Sequence, residues 1–293
     1  PARLAGGGLM EGLGLLWGTL VLRPYVFFFL AAALAAAAAE QGLWRALRFA
    51  GIVWPTAFLA EFASTRIGVP FGYYEYTGAT VGQELYLSNV PVMDSLSFIF
   101  LAYGAAGLAR LYRAPRGTAL RAWREEVPPL FPTGGARGAV LLGAILFMLA
   151  DVVIDPLALQ GDHWFLGEIY RYPEGGIYFG VPLANFAGWF LVGLVGLGLN
   201  AWCDRHAGPP TPPEWVRGWR YRGLYGPVLF GLVLAFNLTV TAGIGLWRLF
   251  AVSAGITGCL GLAAASRLRT SAPRLGARVT APAAGGTGWE GHR

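Results

Sequence analysis

The chain has 293 residues, of which 55% are hydrophobic and only 13% charged, with a net charge of +6 and a mean hydropathy of +0.51. Soluble domains carry about a quarter charged residues, so the composition excludes an ordinary soluble fold and points to one membrane domain with no room for a large soluble one. The basic balance does not indicate a nucleic-acid partner: its side chains are all arginine, which removes Schiff-base lysine chemistry, and they gather in particular loops, as membrane topology requires.

Residues 9–22 are apolar but short, and Arg23-Pro24 interrupts them, which predicts an interfacial or re-entrant helix with an eighth span as the alternative. The same stretch lacks a basic n-region and a cleavage site, so no signal peptide is expected. Seven spans follow, at roughly 22–40, 46–66, 91–111, 138–156, 181–202, 224–242 and 246–265. The expected fold is all-α, a polytopic membrane helical bundle over residues 1–266, followed by an Arg/Pro/Gly-rich tail at 267–293 expected to be disordered. Arg45 and Arg48, the group from Arg110 to Arg137, the group from Arg205 to Arg222 and the tail arginines fall in alternate loops. The intervening loops hold only Arg66 and Arg171, with Arg248 at a span edge. By the positive-inside rule the N-terminus is outside and the C-terminus cytoplasmic, in the cell's inner (plasma) membrane.

Along these spans one frame occurs twice. Leu59-Ala60-Glu61 is followed by Val90-Pro91-Val92-Met93-Asp94, and Leu149-Ala150-Asp151 by Val181-Pro182-Leu183-Ala184-Asn185. The two hairpins run in the same direction, which predicts a parallel duplication of a two-helix hairpin. Ionisable groups inside spans are costly and point to function. Glu61, Asp94, Asp151, Asp155, Asn185 and Asn237 all fall at one depth, and Asp151 and Asp155, four residues apart, share a helix face. The plainer reading is that buried acids fix helix packing, and that Asp94 serves the dipole of its helix start.

Two long loops join the paired spans, reading IGVPFGYYEYTGATVGQELYLSNVP and DPLALQGDHWFLGEIYRYPEGGIYFGVP. Their aromatic residues include Phe71, Tyr73, Tyr74 and Tyr76 in the first, and Trp164, Phe165, Tyr170, Tyr172, Tyr178 and Phe179 in the second. They read as an interfacial belt from which one or two rings line a pocket under a lid. Cys203 and Cys259 give no disulfide framework. His163, His206 and His292 have no metal-ligand spacing, so neither metal nor cofactor is expected.

A carboxyl group in an apolar setting favours its neutral form, and a neighbouring carboxyl reinforces this. Such a group is a general acid, and in hydrocarbon an obvious target is an alkene. Protonation of a trisubstituted double bond gives a tertiary carbocation, which aromatic faces and a carboxylate stabilise. Water then gives an alcohol, an internal alkene a ring, and proton loss a shifted alkene.

At these motifs the chain resembles a known group. Residues 61–77 (EFASTRIGVPFGYYEYT), 151–156 (DVVIDP), Trp164 and 180–189 (GVPLANFAGW) are similar to the CruF-type integral-membrane carotenoid biosynthesis family, which contains carotenoid 1,2-hydratases, and the likeness spans roughly residues 43–202. The resemblance implies cofactor-free addition of water to the C1–C2 double bond of an acyclic ψ end group. The partners it implies are an apolar carotenoid within the lipid membrane, such as lycopene, γ-carotene or a bacterioruberin precursor, and water. It covers Glu61, Gly68, Pro70, Gly72, Tyr74, Tyr76, Asp151, Asp155, Pro156, Trp164, Pro182, Asn185 and Trp189, but not an acid at Asp94.

The resulting expectation is that Asp155 or Asp151 delivers the proton while Glu61 or Asn185 positions the water. Phe71, Tyr74, Tyr76, Trp164, Tyr178 and Trp189 are expected to line the substrate. Three other readings stay open. The Asp151-x-x-x-Asp155 spacing suits a magnesium-dependent membrane prenyltransferase. A carotenoid cyclase or isomerase shares the first protonation step, and a proton-coupled transporter also uses intramembrane acids.

Overall fold

The computed structural model describes residues 8–116, 123, 127–216 and 218–269. The tail beyond 269, with Arg274, Arg278 and His292, lies outside them, as do Arg121, Arg124 and Arg217. Among the described residues there are eight α-helices: α1 (Leu9–Leu22), α2 (Pro24–Gln41), α3 (Leu43–Ile67), α4 (Val92–Arg113), α5 (Ala136–Ala158), α6 (Leu183–His206), α7 (Tyr225–Gly243) and α8 (Trp247–Leu268). Seven of them, α2 to α8, are long and apolar enough to cross a membrane, while α1 is shorter. The molecule is a polytopic helical membrane protein, with the seven spans where the hydropathy of the sequence predicts them.

The helix boundaries follow from local chemistry. Pro24 opens α2, where its missing N–H costs nothing. Gly68 ends α3 with a left-handed φ of 74°, a conformation glycine adopts freely. Helices α4 and α6 both start after an extended proline, Pro91 and Pro182. Small residues let backbones approach: a Cβ on Gly193 would fall 3.1 Å from Ala144 Cα, and one on Gly107 2.9 Å from Gly226 Cα.

Helices α3, α4, α5 and α6 form a four-membered ring in which α3 packs on α4, α4 on α5, α5 on α6, and α6 back on α3. Helices α7 and α8 flank α4 and α5, α2 packs on α3, α4 and α7, and α4 is the most enclosed helix of the set. The loops after α3 and α5 meet at one end of the ring. Strand β1 (Glu75–Tyr76) of the first loop pairs antiparallel with β4 (Tyr170–Arg171) of the second, with Glu75 opposite Arg171 and Tyr76 opposite Tyr170. Strands β2 (Tyr86–Leu87) and β3 (Val90–Pro91) then form a small hairpin leading into α4. Since both loops lie at one end, α3 and α5 run toward it and α4 and α6 away from it. The duplication is visible in detail: Leu87 bridges Val90 just before α4, and Tyr178 bridges Val181 just before α6.

Buried ion pairs brace both ends. At the loop-capped end Arg23 sits 3.5 Å from Glu84 and donates to the Leu166 carbonyl at 2.7 Å, tying the α1–α2 junction to both loops. At the far end Arg110 grips Glu40 with two hydrogen bonds of 2.9 and 3.0 Å and also donates to the Gly223 carbonyl. Arg45 and Arg48 both pair with Asp204. A buried pair contributes little net energy but is strongly destabilising when one partner is removed, so these arginines hold helix ends as well as marking loops.

Candidate active site

Each helix of the ring sends polar side chains to the same level beneath the loops. Glu61 comes from α3, Asp94 from α4, Asp151 and Asp155 from α5, and Asn185 from α6. Glu61, Asp94, Asp155 and Asn185 line one cleft of about 330 Å³ together with Phe71, Tyr74, Phe98, Tyr170, Tyr172 and Trp189. Asp151 is fully buried and stands behind this wall.

The acid pair is held by one amide. Asn185 Nδ2 donates to Asp151 Oδ2 at 2.6 Å and to Asp155 Oδ2 at 3.0 Å. Asp155 also accepts from the hydroxyls of Tyr170 and Tyr172. On the first hairpin, Tyr76 donates to Asp94 Oδ2 at 2.6 Å and Tyr74 reaches Tyr76 at 3.4 Å. Glu61 is buried beside them, and its Oε2 has no hydrogen-bond partner among the described residues. Burial, with the adjacent Asp94 next in size, holds the Tyr76 hydroxyl well above the usual tyrosine range. Burial and then Asp155 do the same for Tyr170 and Tyr172. These phenols keep their protons and act as donors.

Below the acids lies an aromatic floor. Phe98 and Trp189 stack at 4.1 Å with planes 14° apart, and Phe147 leans on Trp189 at 4.7 Å. Phe98 and Trp189 occupy matching positions in the repeat, each four residues beyond its polar partner, Asp94 or Asn185. Phe71 drops onto both rings from the first loop, at 6.0 and 6.3 Å. Its descent depends on Gly188, where a Cβ would lie 2.5 Å from the Phe71 ring and 2.8 Å from the Pro70 carbonyl. The Phe71 amide is fixed by a 2.9 Å hydrogen bond to the Ser64 hydroxyl.

Of the residues singled out from sequence, Glu61, Asp94, Asp155, Asn185, Phe71, Tyr74 and Trp189 line the cleft, and Asp151 and Tyr76 hold its walls. Two take different places. Trp164 lines a larger apolar cavity on the other side of Asp94 and Tyr170, where Asn237 also lies. Tyr178 reaches neither cavity. Its main chain is bridged to Val181, and this turns its ring against Phe179 and Phe186. In the sequence Tyr170 and Tyr172 stand out only as loop aromatics, and Phe98 and Phe147 carry no signal of their own. The fourth position after Asp94 would have pointed to Phe98, by analogy with Trp189.

Fold and cleft together define a multi-pass membrane protein with a buried cluster of carboxyl groups under an aromatic cap. The chain belongs to the family described as carotenoid biosynthesis protein, whose profile matches residues 22–263. It is similar to bisanhydrobacterioruberin hydratase of Haloarcula japonica, with 30% identity over 135 residues, which are 46% of this chain and 38% of that protein. The match thus spans well under half of the relative's length. No solved structure matches the chain.

Proposed function

We propose that the protein is a carotenoid hydratase that adds water across the C1–C2 double bond of an acyclic ψ end group. The observation that carries this reading is the meeting of carboxyl groups from diagonally opposed helices, Glu61 on α3 and Asp155 on α5, across a cleft floored by stacked rings. Family membership and the hydratase relative support a carotenoid-modifying enzyme acting on a lipophilic substrate in the membrane.

In this reading Asp155, the acid of the pair that lines the cleft, gives its proton to C2. The C1–C2 π electrons form the new C–H bond and leave a tertiary cation at C1, shielded by the faces of Trp189 and Phe98. Asn185 is occupied with the aspartates, so Glu61 orients the water. The water oxygen bonds to C1 and its proton passes to Glu61. Return of that proton to Asp155 across the cleft restores both groups, and the net change is one water added. Tyr170 and Tyr172 fix the Asp155 carboxyl. Prenyl transfer is disfavoured because a diphosphate would have no basic side chain among the described cleft residues. The arginine distribution supports an N-terminus outside and a C-terminus in the cytoplasm, in the inner (plasma) membrane.

Expression in a lycopene- or γ-carotene-producing host, followed by mass analysis, is expected to show gain of one water per converted end. In oxygen-labelled water the new hydroxyl should carry the label. Unchanged carotenoid in both hosts, or label arriving from molecular oxygen, would overturn the reading.

A further inference from the structure

The acid cleft is too small for a carotenoid. A volume of about 330 Å³ accommodates an end group, not the conjugated chain attached to it. A second cavity of about 650 Å³ lies against it, between α2, α4, α5 and α7 and beneath the second loop. Its walls are mainly apolar and rich in rings, among them Tyr25, Phe29, Phe100, Trp164 and Phe236. Two residues, Asp94 and Tyr170, line both spaces. They form a partition between the acids and the apolar cavity.

We propose that this cavity is the polyene site: it holds the flat, methyl-branched chain next to the reacting end group, which passes between Asp94 and Tyr170 into the cleft. The assignment rests on the hydratase reading for its ligand. Three observations argue for a conjugated chain over a lipid acyl chain. The cavity shares Asp94 and Tyr170 with the acid cleft, and a saturated acyl chain offers no double bond for those acids to protonate. Its rings come from four separate elements and present polarisable faces suited to an extended π system. Tyr25 stacks on Phe236 at 5.4 Å with planes 21° apart, and Phe165 closes on its edge at 5.7 Å, so α2, α7 and the second loop together form a slot at this side.

The experiment uses the full chain in detergent with lycopene as the probe, read by the circular dichroism that an asymmetric site induces in the polyene band, and by conversion in the producing host. Ala158→Phe on α5 and Ser97→Phe on α4 each place a ring in the cavity and leave every cleft carboxyl in place. Both are expected to lower the induced signal and the conversion by at least about tenfold. Phe100→Leu removes a wall ring without filling the space and is expected to shift the band. It serves where a filling variant fails to elute as a folded protein. Wild-type signal and conversion in the folded variants, no polyene signal in the wild type, or displacement of a phospholipid only, would overturn the assignment. A wild type that binds lycopene in this way but yields no hydrated product would instead sink the hydratase reading and leave the polyene site standing.

Discussion

The two hairpins of the ring, α3–α4 and α5–α6, share a frame and differ in what they place on it. Both carry an acid near the loop end of the rising helix, Glu61 or Asp151, and both begin the descending helix after Val-Pro with a polar residue and then a ring. In the first hairpin no side-chain amide joins the two acids, and Asp94 takes its hydrogen bond from Tyr76. In the second, the position equivalent to Thr65 carries Asp155, and that of Asp94 carries Asn185. Those two differences give the second hairpin an acid pair bridged by one amide. Backbone symmetry sets where polar groups stand, and single residues decide which half carries the amide-bridged acid pair.

Breaking this difference should have the largest effect. Asp155→Thr, which makes the second copy resemble the first, and Asp155→Asn are each expected to cut hydration by roughly 10²–10⁴-fold, the range for losing a general acid. The check is the rate of hydrated product in membranes with matched protein levels. Glu61→Gln should cost about 10²-fold on the same scale. Asp151→Asn, behind the cleft wall, should cost about tenfold. Equal losses at Asp151 and Asp155 would contradict the division between them.

The tyrosine donors come next. Tyr172→Phe and Tyr76→Phe each remove one donor to a buried carboxyl, and a decrease of roughly 5–30-fold is expected from about 1–2 kcal/mol. Burial raises these phenols, so they stay protonated as pH rises through the ordinary tyrosine range. Conversion should therefore show no tyrosine-dependent alkaline limb between about pH 7 and 10. An alkaline limb that disappears in Tyr170→Phe would contradict this. The floor is subtler still. Phe98→Leu and Trp189→Leu in a double-mutant cycle should show a coupling of about 0.5–1.5 kcal/mol in thermal stability. Smallest of all, Glu75→Gln breaks an exposed pair with Arg171 and should change stability by no more than about 1 kcal/mol.

Much of this was legible in the chain. Span positions follow from hydropathy, and the Asp151–Asp155 face from helical periodicity. The repeat was carried by two short signals that the ring packing accounts for. The contribution of the loops was not legible. Tyr170 and Tyr172 meet Asp155 through a two-residue strand pairing between distant segments, which leaves no periodic trace. Tyr178 was an attractive candidate by residue type, yet side-chain direction there is set by a main-chain bridge. Arg23 read as a break between apolar stretches, and its partner Glu84 lies in a distant loop. Arginine counts mark a topology but cannot distinguish a free loop charge from one clamped on Glu40 or Asp204.

The β1–β4 clasp is made of main-chain bonds, supported by the Thr77 amide donating to the Ile169 carbonyl at 2.8 Å. A cap joined through its backbone keeps its shape when its side chains change. The closure above the acids therefore does not depend on which ring stands at 74, 76, 170 or 172, although the hydroxyls at 76, 170 and 172 hold the carboxyls below. Cap shape and hydroxyl donation to the acids are thus separable: the first lies in the main chain, the second in the side chains of Tyr76, Tyr170 and Tyr172.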